Sequence, residues 1–99
     1  MPEFLDVDPR GLHLPPSRAS GADPVKLQRQ IARHGDSIAA MPAIWVYRSS
    51  DGGLIIFDGV MRATRIAKLR PGMTVRIEVV GDLPAKCSHL PTVGERLQQ

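Results

Sequence analysis

The chain has 99 residues, of which 42% are hydrophobic and 23% charged, a composition that is typical of one globular domain and excludes a wholly disordered chain. The net charge of +3 is compatible with a phosphate-bearing partner but is lower than that of a dedicated nucleic-acid binder. Cys87 is the only cysteine, so an internal disulfide and a zinc site of paired cysteines are both excluded.

The first third of the sequence predicts a strand followed by a helix. Residues 3–7 are β-prone, and we expect a short strand there. Asp23 and Pro24 form a strong helix start, because an Asp side chain caps free backbone amides and Pro suits the first helical position. The amphipathic pattern that follows predicts a helix of about eleven residues that ends at Gly35.

A β-hairpin is predicted in the middle of the chain. Residues 43–48 follow Pro42 and carry bulky side chains on both faces, so we expect at least one face of this strand to be covered. Asp51-Gly52 is a strong hairpin signal between two β-prone runs. Residues 54–57 form a continuous apolar run, which predicts a central, buried strand.

The second half of the sequence predicts a helix, a closing strand and a tail. Residues 59–69 carry an apolar stripe at helical spacing, and a Pro-Gly pair ends the helix. Residues 74–80 alternate apolar and polar side chains, which is typical of a half-buried strand. Residues 1–82 are therefore predicted as the domain, and residues 83–99 as a C-terminal tail that we expect to be partly mobile.

The junction between the apolar strand and the second helix carries the sharpest chemical signal. A helix start leaves backbone amides unpaired and adds partial positive charge, so anions bind there readily. Gly59 lets a ligand approach the backbone, and the guanidinium of Arg62, one turn into the helix, can reach back to a phosphate. Asp58 is expected to cap the helix, to hold a metal ion or to pair with Arg62. An ordinary capped helix without a ligand is the alternative interpretation.

The segment Gly59-Val60-Met61-Arg62-Ala63 resembles the Gly-Glu-Arg-Arg-x-Arg-Ala segment of ParB-type partition proteins and the Gly-Cys-His-Arg segment of sulfiredoxins, which share a superfamily. The elements around it follow the order of that superfamily from residue 3 to residue 80, including a Pro-Ser-Arg loop that ends at Arg18. The resemblance implies an α+β fold, a small ParB/sulfiredoxin-like domain with a mixed sheet of about four strands and two main helices.

The resemblance also implies a phosphate-bearing ligand, which would be a nucleotide, with or without Mg²⁺, or a nucleic-acid phosphate. The backbone amides of the helix start and the side chain of Arg62 would bind the phosphate, and two further arginines would assist. The implied phosphate-binding residues are Gly59, Val60, Met61, Arg62, Arg65 and Arg18.

Two departures from the superfamily pattern narrow these expectations. Val60 and Met61 stand where sulfiredoxins have their catalytic Cys and the following His, so sulfiredoxin chemistry has lost its nucleophile. Cys87 lies far along the chain and is interpreted as an incidental thiol. ParB proteins also carry a helix-turn-helix domain, for which no room remains after Val80, so we do not expect sequence-specific DNA recognition.

Three functions stay open on the sequence alone: binding of a nucleotide or a nucleic-acid phosphate, a nuclease-like effector or toxin domain of the same superfamily, and a non-catalytic interaction module with a degenerate pocket. If the chain is an enzyme, we expect phosphoryl-transfer or phosphodiester chemistry, with Asp58 as the catalytic candidate. The start of the sequence lacks a signal-peptide pattern and no stretch is long and apolar enough to span a bilayer, so we expect a cytoplasmic location without a membrane partner. A homodimer is left open.

Overall fold

The patterns above produce two main helices, of which α1 is capped by a side chain, and a mixed sheet. A computed structural model describes residues 2–97, and these residues form four strands and three α-helices. The strands are β1 (Glu3–Val7), β2 (Ile44–Arg48), β3 (Leu54–Asp58) and β4 (Val75–Asp82), and the helices are α1 (Pro24–His34), α2 (Val60–Leu69) and α3 (Val93–Leu97). The predicted α+β class with about four strands and two main helices is confirmed.

Helix α1 begins and ends where the sequence predicts. The Asp23 carboxylate accepts hydrogen bonds from the backbone amides of Val25 and Lys26 at 2.9 and 3.2 Å, which satisfies two of the free donors of the first turn. Gly35 has a φ of 57° and its amide donates to the Ile31 carbonyl at 2.7 Å. A glycine suits this position because a side chain disfavours positive φ.

The strand order in the sheet is β1-β4-β2-β3. Strand β4 is antiparallel to β1 and parallel to β2, and β2 pairs with β3 as the predicted antiparallel hairpin. The central position predicted for residues 54–57 is wrong, because β3 is an outer strand of this order and its Phe57 is 56% exposed.

The apolar run in β3 has another physical cause. The backbone of His13 bridges the outer edge of β3, where it donates to the Leu54 carbonyl at 2.9 Å and accepts from the Ile56 amide at 3.0 Å. Ile55 and Ile56 point to opposite faces of the strand, and both are buried. A strand that is covered on two faces needs apolar residues in succession, even when it lies at the edge of a sheet.

Helix α2 packs its apolar stripe on one face of the sheet. The stripe is completely or nearly completely buried, and it meets buried residues of β2, β3 and β4; together with Val93 of α3 these form the main core cluster. Burial of this stripe holds the start of α2 against the end of β3. The members from the stripe and the sheet are Val60, Ala63, Ile66, Ala67, Ile44, Val46, Ile56, Val75 and Ile77.

Residues 83–97 belong to the packed structure, although the sequence predicts a tail from residue 83. Cys87 and Val93 are buried, and α3 packs against α2. The Val93 amide donates to the Leu12 carbonyl at 2.9 Å, and the Leu14 amide donates to the Pro91 carbonyl at 2.8 Å. Residues 98 and 99 of the predicted tail lie outside the described residues. None of the helices within residues 2–97 has the length and apolar character needed to cross a membrane.

Candidate functional site

A cleft of about 830 Å³ opens where the end of β3 meets the start of α2. Its walls come from residues 15–18, from the β2–β3 hairpin, from residues 58–62 and from residues 83–90. The volume lies in the range of small-molecule sites, and polar groups converge on a largely apolar lining, as is usual in such sites. The predicted residues Gly59, Val60, Met61, Arg62 and Arg18 all line this cleft.

Gly59 is the N-cap of α2 and has a φ of 116°. No side chain among the described residues caps the helix, so the prediction that Asp58 is the N-cap is wrong. Asp58 cannot cap because it still belongs to β3 and pairs with Trp45 in register. The amide of Ala63 donates to the Gly59 carbonyl at 2.9 Å, which is the first hydrogen bond of the helix. The amides before Ala63 in the first turn therefore have no acceptor within the helix.

The guanidinium of Arg62 folds back over Gly59, as the spacing of the two residues predicts. A Cβ atom placed on Gly59 would lie 2.9 Å from Nη2 of Arg62. The same Nη2 donates to the Ala43 carbonyl at 3.3 Å and lies 3.5 Å from Oδ2 of Asp58. Nε of Arg62 is buried and has no hydrogen-bond partner within the described residues. A buried unpaired donor is costly. The side chain as a whole is 25% exposed and lines the cleft, so a ligand there can contact the guanidinium.

Asp58 stands at the mouth of the cleft with 61% of its side chain exposed. Of the three roles expected for it, the structure contains the ion pair with Arg62. Within residues 2–97, no group of three or more His, Cys, Asp or Glu side chains is arranged to hold a metal ion. The described side chains therefore do not fit a metal held by the protein itself, and any Mg²⁺ would need most of its ligands from the phosphates of a nucleotide and from water.

Additional basic and polar side chains line the cleft, two of them from a segment that carries no sequence signal. Lys86 and His89 come from residues 83–90, and Arg18 comes from a short 3-10 turn (Pro16–Arg18) on another wall. Among the described lining residues, Asp58 is the single acidic one. Lys86 and His89 could not be found from the sequence, because nothing local in their segment indicates that it folds back on the hairpin.

Arg65 lies outside the cleft and is buried, with 3% of its surface exposed. Its Nη1 donates to the carbonyl oxygens of Gly35 and Ser37 at 2.8 and 2.9 Å, and its Nη2 lies 3.4 Å from Sδ of Met41. Carbonyls at the end of a helix are left without partners by the helix itself. Arg65 of α2 therefore connects α2 to the end of α1 and to the loop after it through hydrogen bonds.

Aromatic side chains form the outer wall of the cleft. Tyr47 and Phe57 line it and contact each other edge to face, with ring centroids 5.3 Å apart. Trp45 lies next to Phe57 outside the cleft, with centroids 6.3 Å apart and ring planes that differ by 6°. Trp45 is 43% exposed, because the helices cover the opposite face of the sheet.

Cys87 is a buried thiol next to the hairpin turn. Its Sγ lies 3.1 Å from Oγ of Ser49 and donates to Asp51 at 3.4 Å. Burial raises the pKa of this thiol above its ordinary value, and the hydrogen bond with Asp51 raises it further. A protonated, enclosed thiol is a poor nucleophile, which agrees with the interpretation of Cys87 as a residue without catalytic chemistry.

Comparison with known protein families and with curated proteins finds no family model and no curated sequence that matches this chain.

Proposed function

We propose that this chain is a ParB/sulfiredoxin-like domain that binds a nucleotide or a nucleic-acid phosphate in the cleft between β3 and α2. The main supporting observation is the position of Arg62: its guanidinium lies over Gly59 and lines the cleft, with 25% of the side chain exposed. The uncapped amides of Val60 and Met61 begin the helix beside it. A phosphate there would receive backbone and guanidinium hydrogen bonds together.

Charge in the cleft supports an anionic ligand. Arg18, Arg62 and Lys86 line it, while Asp58, the single acidic lining residue of the described chain, already lies near Arg62. An anion would compete with Asp58 for a guanidinium that holds the carboxylate only at 3.5 Å. Arg65 is not part of the proposed phosphate site, because its donors face the carbonyls of the loop after α1.

The size of the cleft supports a ligand larger than inorganic phosphate. A volume of about 830 Å³ leaves room for a nucleoside beside the phosphate-binding corner. A cytoplasmic location, expected from the sequence, is part of the same proposal, because nucleotides and nucleic acids are abundant in that compartment. We assign binding here and no reaction.

A thermal-shift titration with CTP and ATP, each with and without Mg²⁺, tests the proposal. Ligand at 100 times its Kd adds about 2.7 kcal/mol of stability, which raises the Tm of a domain of this size by on the order of 10 °C. Arg62→Ala is expected to abolish the shift. Arg62→Lys is expected to retain a smaller one, because an ammonium keeps the charge but loses the planar fork.

Arg33→Ala is the matched control, since Arg33 is an exposed arginine of α1 that does not line the cleft. Each Tm shift is measured against the ligand-free form of the same variant, so a change in intrinsic stability does not enter the comparison. The proposal fails if no phosphate-bearing ligand shifts the Tm of the native chain, or if Arg62→Ala responds as strongly as Arg33→Ala.

A further inference from the structure

Two exposed aromatic rings continue the cleft onto the open face of the sheet. Phe57 lines the cleft next to Asp58 and is 56% exposed, and Trp45 lies beside it outside the cleft. The two ring planes are within 6° of parallel. Exposing two large aromatic surfaces to water is unfavourable, and neither ring belongs to the main core cluster.

The charges around these rings are arranged so that an anionic backbone would follow the cleft and not the open sheet. Arg62, Lys86 and Arg18 line the cleft. On the open face, Trp45 is paired in register with Glu78, whose carboxylate repels phosphate, and Arg76, the basic residue on the same face of β4, is paired with Asp6 at 3.4 Å. A ligand on both surfaces would therefore place its phosphates in the cleft and present flat, uncharged groups to the rings.

Resting on the proposed function, we propose that the ligand is a single-stranded nucleic acid whose successive bases stack on Phe57 and Trp45 while its backbone phosphate occupies the corner at Gly59. Single-strand binders combine a basic groove with aromatic rings in this way, and every base has a face that can stack. A mononucleotide reaches only the first ring. A duplex hides the faces of its bases, so double-stranded nucleic acid is expected to bind more weakly.

Two fluorescence measurements test this inference. The first is the anisotropy of a labelled oligothymidylate of about ten nucleotides, compared with an abasic oligonucleotide of the same length and charge. The second is intrinsic fluorescence, which reports directly on Trp45 because the chain has one Trp. We expect the oligothymidylate to bind more tightly than the abasic strand and to quench the fluorescence of Trp45. Thymidine monophosphate is expected to quench it less.

Ring-removal variants separate stacking from charge. Phe57→Ala is expected to weaken oligothymidylate binding by roughly 5- to 100-fold and to leave binding of the abasic strand unchanged. Trp45→Ala is expected to act in the same direction, and Phe57→Tyr to retain binding because it keeps the ring. Phe4→Ala is the matched control: Phe4 is 48% exposed on β1, at the other end of the strand order.

The outcomes distinguish this inference from the proposed function. Equal affinity for the oligothymidylate and the abasic strand, with binding of both lost in Arg62→Ala, overturns base stacking and leaves phosphate binding intact. Binding of neither strand and of no nucleotide overturns both. Loss of affinity for both strands in Phe57→Ala, to the same degree, also overturns stacking, because it shows that the ring supports the site in another way.

Discussion

Asp51, in the turn of the hairpin, holds Cys87 through its carboxylate. Oδ2 of Asp51 accepts hydrogen bonds from the backbone amides of Cys87 and Ser88 at 3.2 and 3.1 Å, and Oδ1 accepts from the Ser49 hydroxyl and from the Gly53 amide. These bonds fix residues 87 and 88 beside the hairpin. Lys86, His89 and the other lining residues of this segment form one wall of the cleft, so the carboxylate positions part of the candidate site.

The pKa of Asp51 predicts how this connection responds to acid. The Ser49 hydroxyl, more than any other group, holds the pKa of this carboxyl well below its ordinary value, and the Gly53 amide and Cys87 act in the same direction. Since the pKa is depressed on folding, the stabilisation is fully present above the unfolded value of about 3.9 and is lost as the pH falls through the folded value.

We therefore expect Asp51→Asn to lower the Tm at neutral pH, and the difference from the native chain to shrink as the pH falls below about 4. Thermal unfolding followed by circular dichroism over this range measures it. Asp82→Asn, at an exposed carboxylate that ends β4, is expected to have little effect at neutral pH. A Tm difference for Asp51→Asn that is independent of pH would show that the carboxylate acts by shape alone.

Substitution of Arg65 is predicted to lower the stability of the fold without abolishing ligand binding. Arg65→Ala removes the donors to Gly35 and Ser37 and leaves a void, so we expect the free energy of unfolding to fall by about 3 kcal/mol. Nucleotide-induced shifts measured against the ligand-free variant are expected to persist, in contrast to Arg62→Ala. Urea denaturation gives the stability, and Lys68→Ala, on the exposed surface of α2, is the control. If Arg65→Ala has native-like stability but loses the nucleotide-induced Tm shift, Arg65 is part of the phosphate site.

Local patterns in the sequence predict much of the fold. Asp23 and Gly35 mark the ends of α1 because capping depends on neighbouring residues only, and Asp51-Gly52 marks the hairpin for the same reason. The position of β3 in the sheet depends on distant segments. The apolar run of β3 indicates that both faces of the strand are covered. It does not indicate that His13 bridges the outer edge of the strand.

The candidate site also has features that local sequence predicts and features that depend on distant segments. The approach of Arg62 to Gly59 follows from their spacing at a helix start, so the sequence predicts it. Lys86 and His89 reach the cleft through an irregular segment that is held by Asp51, and an irregular segment has no periodicity to detect. Arg65 lies near Arg62 on the same helix, yet it faces the loop after α1, and only the packing of the two helices determines that.

Gly59 is predicted to be required for its backbone conformation and for its close contacts. Its φ of 116° is unfavourable for a side chain, and a Cβ atom there would also lie 3.1 Å from Ile44. We expect Gly59→Ala to lower the free energy of unfolding by about 1–3 kcal/mol and to displace Arg62. Gly72→Ala is the matched control, since Gly72 has a φ of 88° and nothing within 4 Å of the added atom. Equal losses in the two variants, measured by urea denaturation, would mean that the contacts at Gly59 contribute nothing.

Lys86 is predicted to contribute to ligand binding through charge. Lys86 is exposed and lines the cleft, and one solvated ion pair is weak, so Lys86→Ala is expected to reduce affinity for an oligonucleotide by only about 2- to 5-fold. The slope of log K against log salt concentration is expected to fall by about 1, because one fewer counterion is released. Lys26→Ala, at an exposed lysine of α1 away from the cleft, should change neither quantity. An unchanged slope in Lys86→Ala would mean that residues 83–90 form a wall of the cleft without contacting the phosphates.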